Sequence, residues 1–259
     1  MRNHLLNRLT RRARRGITTA LMLAATGLGI LAAAPDARAA DKPLIVVELF
    51  TSQGCSSCPP ADELLGELVK RDDVLGFSFH VDYWDYIGWH DTFAMPESGQ
   101  RQRSYVSRVG GRYVYTPQVV INGDHVVRAT AKSRIVTTSD ETTPLRQWAE
   151  LALLSDNRTS PASGKLKLGM LNTPPAGQSY QLWLIGFDRE QARDVRSGEN
   201  AGRRLVHANV VREMIDLGQW DGMQRELDFA LNQPCDGGVA VLVQEGRGGP
   251  VRSASVIRF

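Results

Sequence analysis

The 259-residue sequence has only three cysteines, Cys55, Cys58 and Cys235, which are too few for a scaffold held together by disulfides. It also lacks a phosphate-binding loop of the P-loop type, an internal repeat and a low-complexity tract. These absences argue against a disulfide-rich module, a P-loop nucleotide hydrolase and a repeat protein. Two closely spaced cysteines in "TSQGCSSCPP", residues 51–60, are therefore the most informative feature of the chain.

Residues 1–39 are predicted to be a signal peptide. A segment with six arginines and no acid precedes an uncharged apolar run over 17–35, and Ala37-Arg38-Ala39 then has the pattern of a signal peptidase site. An uncleaved membrane anchor is the alternative, because the run is close to the minimum spanning length of about 17 residues. Its content of Ala, Gly and Thr favours cleavage, so we expect a mature chain in the periplasm or the medium.

The net positive charge of the full chain comes from the predicted signal peptide. Residues 1–39 contain seven of the 31 basic residues and one of the 28 acidic ones, which leaves 24 basic against 27 acidic residues and a net charge of −3. A mature chain of this charge gives no reason to expect a nucleic-acid partner. After cleavage we also expect no membrane association.

Residues 40–155 alternate between strand and helix patterns. The apolar run 44–50 is typical of a strand covered on both faces, and Asn122-Gly123 is a strong signal for a β-hairpin within 118–130. A further strand is predicted over 74–84, and helices are predicted over 61–71, 101–110 and 143–154. This order predicts an α/β domain whose small sheet has helices on both faces.

The rest of the chain has a different pattern. Residues 156–164 are polar, contain Ser, Pro and Gly, and indicate a linker. Residues 165–259 contain several short strand patterns separated by turn residues, which predicts an antiparallel, sandwich-like β-rich domain. This part shows no convincing acid–base pair or triad, and it is expected to pack against the first domain or to bind a partner.

Cys55 and Cys58 lie between the first predicted strand and the first predicted helix. Residues three apart on a helix are neighbours, so the two sulfurs can form a ring. A thiolate at a helix N-terminus is stabilised, which favours redox chemistry. Because Pro59 and Pro60 fit only near the start of a helix, we expect the helix to begin near Ser57 or to have a distorted first turn. We expect Cys55 to be exposed and to attack, and Cys58 to be buried and to resolve.

Two other positions are candidates for the same site. Thr116-Pro117 directly precedes a strand, where a proline is tolerated. Glu48 lies within the first strand, on the face shared by Val46 and Phe50, so a buried carboxylate there could hold or relay a proton with a raised pKa. The alternative is that Glu48 pairs with a cation or reaches solvent.

The segment "HVDYWDYIGWHD", 80–91, combines two histidines, three aspartates and four aromatic residues. It could ligate copper or zinc together with the thiols. It could instead form an aromatic wall, with Trp84 and Tyr86 contacting a substrate. The simplest interpretation is a loop whose aromatic residues pack and whose acids cap the next helix. Cys235 is expected to be buried or idle, and the alternative is a resolving or intermolecular thiol.

Four stretches together resemble the exported bacterial family known as domain of unknown function 1223: "VVELFTSQGCSSCPPAD", "HVDYWDYIGWHD", "YTPQVVINGD" and "SGENAGRRLVHANVVREM". The resemblance implies a thioredoxin-like N-terminal domain and a β-rich C-terminal part. It also implies that Cys55 and Cys58 match the thioredoxin active pair and that Thr116-Pro117 matches the cis-proline turn near it. The Ser-Ser between the cysteines and the position of Glu48, one residue further from the pair, differ from typical thioredoxins.

The sequence is interpreted as an exported thioredoxin-like thiol–disulfide oxidoreductase that acts on protein thiols and disulfides. No cofactor and no metal are predicted for it. Cys55, Cys58, Thr116, Pro117 and Glu48 are the predicted catalytic residues, and Trp84 and Tyr86 are the predicted substrate contacts. The alternatives are a copper metallochaperone using the two cysteines with a histidine, and a binding protein whose disulfide is only structural.

Overall fold

The computed structural model describes residues 44–129, 132–146, 148–155, 162–171 and 179–259. The predicted signal peptide, the predicted cleavage site and residues 156–161 of the predicted linker lie outside these ranges. All of the described residues fall within one compact unit. No helix in these ranges has both the length and the apolar character needed to cross a membrane.

Strands and helices alternate in the first part of the structure. The elements are β1 (Ile45–Thr51), α1 (Pro59–Leu68), β2 (Val74–His80), α2 (Pro96–Arg108), β3 (Gln118–Ile121), β4 (His125–Arg128) and α3 (Lys132–Glu141). β1 is buried along its whole length, as its nearly continuous apolar sequence predicts. The prolines occupy the first two positions of α1, where a missing N–H costs little. The helix therefore begins directly after Cys58, two residues beyond Ser57.

The predicted hairpin is confirmed, since β3 and β4 pair in antiparallel fashion around Asn122 and Gly123. Both residues have positive φ, 47° and 68°, which is the conformation that Asn and Gly tolerate best. α2 begins five residues before the predicted start, at Pro96. α3 was not predicted.

The predicted helix over 143–154 is wrong. Residues Ala149–Ser155 form strand β5, which pairs with β6 (Ser163–Leu168) in antiparallel register. The segment is rich in good helix formers, and its cross-strand pairing overrides that local preference.

The second part of the structure consists of β6 and five further strands: β7 (Tyr180–Asp194), β8 (Arg204–Trp220), β9 (Arg225–Ala230), β10 (Gly238–Glu245) and β11 (Val251–Arg258). Within the described residues the strands form two sheets, one with the order β11-β10-β7-β8-β2-β1-β3-β4 and one with the order β5-β6-β9. The large sheet thus contains strands from both predicted domains. The small antiparallel sheet packs its apolar residues against β7 and β10 across a shared core.

Helices cover both faces of the first part of the large sheet. β1 pairs with β2 in parallel and with β3 in antiparallel fashion. On one face, Val47 and Leu49 pack with α1 and α3 in one core cluster. On the other face, Val46 and Phe50 pack in a second cluster with Tyr105 of α2 and with strands of the second part. The prediction was a small sheet with helices on both faces. In the structure that sheet is larger, because strands from the C-terminal region continue it beyond β2.

β8 joins the two parts because it lies beside β2. One residue pair, Ser78 with Val210, forms the parallel bridge. The Ser78 hydroxyl donates to the Ala208 carbonyl at 2.9 Å, and the Asn209 amide donates to the Gly76 carbonyl at 2.9 Å. Asn209 has a φ of 45°, so the β8 backbone departs from the extended conformation at the residue whose side chain bonds to β2.

A buried polar network on the α2 face fastens β1, α2 and β10 together. The Glu48 carboxylate accepts two hydrogen bonds from the Arg101 guanidinium, at 2.5 and 2.9 Å, and one from the Tyr105 hydroxyl at 2.6 Å. Gln244 of β10 accepts from Arg101 at 3.1 Å and donates to the Tyr105 oxygen at 3.0 Å. Glu48 and Gln244 are fully buried, and Arg101 is 3% exposed. Both carboxylate oxygens of Glu48 are therefore neutralised by Arg101.

Replacing Arg101 with Met should destabilise the protein strongly, because the Glu48 carboxylate would remain buried without its cation. Breaking a buried pair in this way typically costs about 3–5 kcal/mol. The free energy of unfolding from urea titration measures the effect, and the double variant Glu48→Gln/Arg101→Met should recover part of the loss. Arg103→Met is the matched control, since Arg103 is exposed on the same helix. An equal loss in both single variants would contradict the prediction.

Candidate functional site

Cys55 and Cys58 form a disulfide between the end of β1 and the start of α1. The Cys58 N–H donates to the Cys55 carbonyl at 3.2 Å, so the four residues make one tight turn. Cys58 is the N-cap residue of α1. The Ser57 hydroxyl lies 3.4 Å from the Cys55 sulfur. The pair is thus held at the N-terminal end of a helix, where a thiolate is electrostatically favoured.

The expectation that Cys55 is open to solvent is wrong, since Cys55 is 1% exposed and Cys58 is 0% exposed. The loop of residues 195–203, which connects β7 and β8, covers the turn. The buried Asn200 amide donates to the carbonyls of Gln53 and Cys55, both at 2.9 Å. More than 140 residues separate this loop from the disulfide, so no local sequence signal could reveal the contact.

The same loop is attached at two further points. Glu199 accepts a hydrogen bond from the Ser56 N–H at 3.2 Å, and the Ser197 hydroxyl donates to the Gly88 carbonyl at 2.5 Å. Ser56 and Ser57 remain exposed between the two buried cysteines. The loop therefore bonds to the first half of the disulfide turn and to the neighbouring Gly88, while Ser56 and Ser57 stay at the surface.

Trp84 connects the disulfide turn to Thr116-Pro117. A Cβ atom added to Gly54 would lie 3.2 Å from the Trp84 Cβ, which is tighter than an ordinary contact, so glycine before Cys55 lets Trp84 approach closely without a shift. The Trp84 indole N–H donates to the Thr116 hydroxyl at 2.7 Å. The Thr116–Pro117 bond is cis, as predicted. The Trp84 and Tyr86 rings stack with their centroids 6.3 Å apart, and Tyr86 is 80% exposed. The structure thus brings these predicted site residues together around one side of the turn.

Glu48 and Cys235 are not part of this group. Glu48 faces α2, whereas α1 packs on the opposite face of the sheet. Its pairing with Arg101 matches the alternative interpretation of Glu48 as an ion-paired carboxylate. Cys235 is buried, its thiol contacts the Gly238 carbonyl at 3.3 Å, and burial raises its pKa to about 11.

Two side chains of the segment 80–91 form a buried pair. His80 Nδ1 lies 2.8 Å from the Asp91 carboxylate, and both side chains are fully enclosed. The acids of the segment do not cap α2, because Met95 precedes that helix and gives no side-chain cap. In the described part of the chain, no three His, Cys, Asp or Glu side chains are grouped so as to hold a metal ion.

Two residues that the sequence did not single out extend this pair. His207 of β8 lies with its ring centroid 4.5 Å from that of His80. His207 Nδ1 is 3.4 Å from an Asp62 carboxylate oxygen. We refer to Asp62, His80, Asp91 and His207 as the buried His–Asp cluster. His207 falls within the quoted stretch "SGENAGRRLVHANVVREM", but nothing in its spacing links it to the cysteines.

Charges within the cluster influence one another. Burial alone would lower the pKa of His207, but the attraction of Asp62 and Asp91 outweighs burial and raises it. Burial alone would raise the pKa of Asp91, but the His80 ring and two backbone N–H donors hold it below its usual value. The cluster therefore favours a carboxylate at Asp91 and an imidazolium at His207.

Comparison with known proteins identifies a family. Residues 46–244 match the family model described as "Protein of unknown function (DUF1223)". The crystal structure of protein AGR_C_4864 from Agrobacterium tumefaciens is similar, with a TM-score of 0.63 and 31% identity over 85% of this chain and 96% of that one. HBP35 of Porphyromonas gingivalis shares the fold at a TM-score of 0.57 and 13% identity, over 84% of this chain and 75% of that one. A comparison with curated proteins gave no match.

Replacing Asp91 with Asn should destabilise the protein at neutral pH and have progressively less effect in acid. Because the folded pKa of Asp91 is lowered, its contribution is fully present above the unfolded value of about 3.9 and is lost as the pH falls through the lower folded value. Urea unfolding of both proteins over a pH series measures this difference. Asp82→Asn is the control, since Asp82 is exposed in the same segment. A difference that does not change with pH would contradict the assignment.

Proposed function

The chain belongs to the DUF1223 family of proteins of unknown function, and from its own site we propose that it is an exported thiol–disulfide oxidoreductase. The observation that carries this proposal is the Cys55–Cys58 disulfide, closed at the N-terminus of α1. The proposed substrates are thiols and disulfides of other exported proteins. The arginine-rich, apolar and Ala37-Arg38-Ala39 segments at the N-terminus support export, where a cysteine pair can be oxidised.

The order of elements supports a thioredoxin-like interpretation of the first part. β1, α1 and β2 form a parallel βαβ unit with the cysteines at its first strand-to-helix junction, which is the setting expected for a redox CxxC pair. Within the large sheet, the strands of this part follow the order β2-β1-β3-β4, with β3 antiparallel to β1. The fully buried disulfide lies beneath a loop from the second part.

Thiol–disulfide exchange at this pair needs one attacking and one resolving sulfur. In the proposed cycle the Cys55 thiolate attacks a substrate disulfide, and Cys58 then attacks Cys55 to release the substrate sulfur. The Ser57 hydroxyl, 3.4 Å from the Cys55 sulfur, can donate a hydrogen bond to the thiolate. The same steps run in reverse when a substrate dithiol reduces the pair, and the reduction potential sets the direction.

The aromatic side of the turn is proposed to bind the polypeptide of the substrate. Tyr86 is exposed, Trp84 and Thr116 are half-buried, and the Trp84–Thr116 hydrogen bond fixes the indole beside Gly54. An exposed aromatic ring stacked on a fixed one offers apolar contact area together with polar edges. This surface suits an extended segment that carries a cysteine.

Cys58→Ser should accumulate mixed disulfides in the exporting cell, because Cys55 can attack while no sulfur remains to release the substrate. Cys55→Ser should abolish these adducts. The measurement is non-reducing electrophoresis after acid quenching, with the reduction potential of the unmodified pair determined against glutathione.

Cys235→Ser is the control for the trapping experiment and should change nothing, since the raised pKa keeps the Cys235 thiol protonated. Adducts on Cys55→Ser instead of Cys58→Ser would reverse the two roles. The alternative of a binding protein with a structural disulfide would be favoured by two results together. The disulfide of the folded, unmodified protein would resist dithiothreitol, and neither single-cysteine variant would form adducts.

Asn200→Ala should speed reduction of the disulfide, because the loop over it would lose two hydrogen bonds to Gln53 and Cys55. At about 1 kcal/mol for each bond, the reduction rate by dithiothreitol should rise by about 10- to 30-fold if loop opening limits access. Asn232→Ala is the control, since Asn232 lies in another loop and bonds to Glu213. Equal reduction rates in folded Asn200→Ala and unmodified protein would show that the loop does not limit access.

A further inference from the structure

We propose that the buried His–Asp cluster accepts and returns the proton of Cys58 during disulfide exchange. This inference rests on the proposed function and adds the proton carrier to it. The four side chains come from α1, the end of β2, the segment after it and β8, and they meet on the face of the sheet where α1 packs. They act on the reacting sulfurs through proton transfer and charge, with no substrate contact.

The cluster begins one helical turn after the resolving cysteine. The Asp62 N–H donates to the Cys58 carbonyl at 3.1 Å, and residues four apart lie on the same side of a helix. The chain of contacts then runs from Asp62 to His207, to His80 and to Asp91 at the distances given above. Its far end returns to the turn, because Asp91 accepts from the Gln53 N–H at 2.7 Å. The cluster is therefore connected to both ends of the disulfide turn.

Several atoms of the cluster are buried without a hydrogen-bond partner. They are Oδ1 and Oδ2 of Asp62, Nε2 of His80, and Nδ1 and Nε2 of His207. Buried polar atoms normally have partners, and leaving one unpaired costs about 1–3 kcal/mol. Of these atoms, the two Asp62 carboxylate oxygens offer lone pairs that can take up a proton, whereas the nitrogens of a His207 imidazolium are donors. The Glu48 network contrasts with the cluster, since both of its carboxylate oxygens are bonded.

An aromatic ring and two arginines lie beside the two imidazoles of the cluster. His80 and His207 both pack edge-on against the Phe93 ring, at 5.3 and 6.1 Å. Arg193 and Arg212 lie over the same ring at 5.2 and 5.8 Å. The charged and titratable groups that surround the two imidazoles are thus Asp62 from α1, Asp91 from the segment after β2, and two arginines beyond an aromatic ring. The Asp62 carboxylate, which His207 Nδ1 approaches at 3.4 Å, is the carboxylate nearest in sequence to Cys58.

Asp62 also gives the cluster a route to solvent. It lines a cleft of about 870 Å³ between α1 and strands β7 and β8, together with Glu67 of the same helix and Val206. Asp62 itself is 4% exposed. The Asp62 oxygens are themselves enclosed, so in the proposed step a proton leaves or enters when the Asp62 side chain turns toward the cleft.

The step that uses the cluster begins from a mixed disulfide between Cys55 and the substrate. The Cys58 thiol transfers its proton to the Asp62 carboxylate and becomes a thiolate. The thiolate attacks the Cys55 sulfur, the Cys55–Cys58 bond forms, and the bond to the substrate sulfur breaks. That sulfur leaves with the electron pair and takes a proton from solvent. Over the cycle the protein dithiol loses two electrons and the substrate disulfide gains them, and in reverse the cluster protonates Cys58.

Asp62→Asn tests this role in the full-length mature chain carrying Cys235→Ser. A nitrobenzoate disulfide is the probe, since it releases one coloured thiolate when Cys55 attacks and a second when Cys58 closes the ring. We expect Asp62→Asn to leave the first release unchanged and to slow the second by about 100-fold at neutral pH, the scale of general acid–base assistance. In the parent, the rate of the second release plotted against pH should show an inflection that the cluster adds. In Asp62→Asn this inflection should be absent, and the rate should follow the ionisation of the Cys58 thiol alone.

His207→Gln is the second variant and should also slow only the second release, so the test remains decisive if Asp62→Asn does not fold. Glu67→Gln is the matched control, because it removes a carboxylate from the same helix and cleft, and both of its releases should equal those of the parent. Unchanged second-release rates and pH profiles in both cluster variants would overturn the inference and leave the oxidoreductase standing. Absence of the first release from the folded, reduced parent would overturn the proposed function itself.

Discussion

The pairing of β8 with β2 is the constraint on which the site depends. A single bridge between Ser78 and Val210, reinforced by the Asn209 amide on the Gly76 carbonyl, holds the long β7–β8 ribbon against the first part of the sheet. Two consequences follow from that placement. The loop at the end of the ribbon reaches the disulfide turn, and His207 enters the space between α1 and His80. Both features that distinguish this site from a bare CxxC turn therefore come from the C-terminal region.

The buried ionic groups on the two faces of the sheet differ in how completely they are hydrogen-bonded. On the α2 face, Glu48 and Arg101 are paired in bidentate fashion, and Tyr105 and Gln244 use the remaining donors and acceptors, so the network can only hold elements together. On the α1 face, the His–Asp cluster leaves acceptor atoms unused. A group that is fully bonded has no free lone pair for a proton, whereas an underbonded one does. This difference supports the proposal that the network on one face serves packing and the cluster on the other serves proton transfer.

Local features of this chain were predictable and distant contacts were not. The CxxC pair before a helix, the Asn122-Gly123 hairpin and the buried β1 depend on residues that are neighbours in sequence, and the structure contains all three. The prediction of a helix over 143–154 was wrong because residues 149–155 of that region pair as a strand with β6. Burial of Cys55 by Asn200, and the meeting of Asp62 with His207, depend on contacts across about 145 residues. No pattern of periodicity or spacing carries such information.

Gln53 links access to the disulfide with the state of the cluster. Its N–H donates to Asp91, its carbonyl accepts from Asn200, and its side-chain oxygen accepts from the Trp89 indole. In the proposed cycle, displacement of the loop by a substrate would remove the Asn200 bond from the same residue whose N–H helps to keep Asp91 ionised. The Asp91 carboxylate would still hold the Gln53 N–H, and the Trp89 indole would still hold its side chain. Opening of the site and adjustment of the cluster's charges therefore act on one residue, two positions before Cys55.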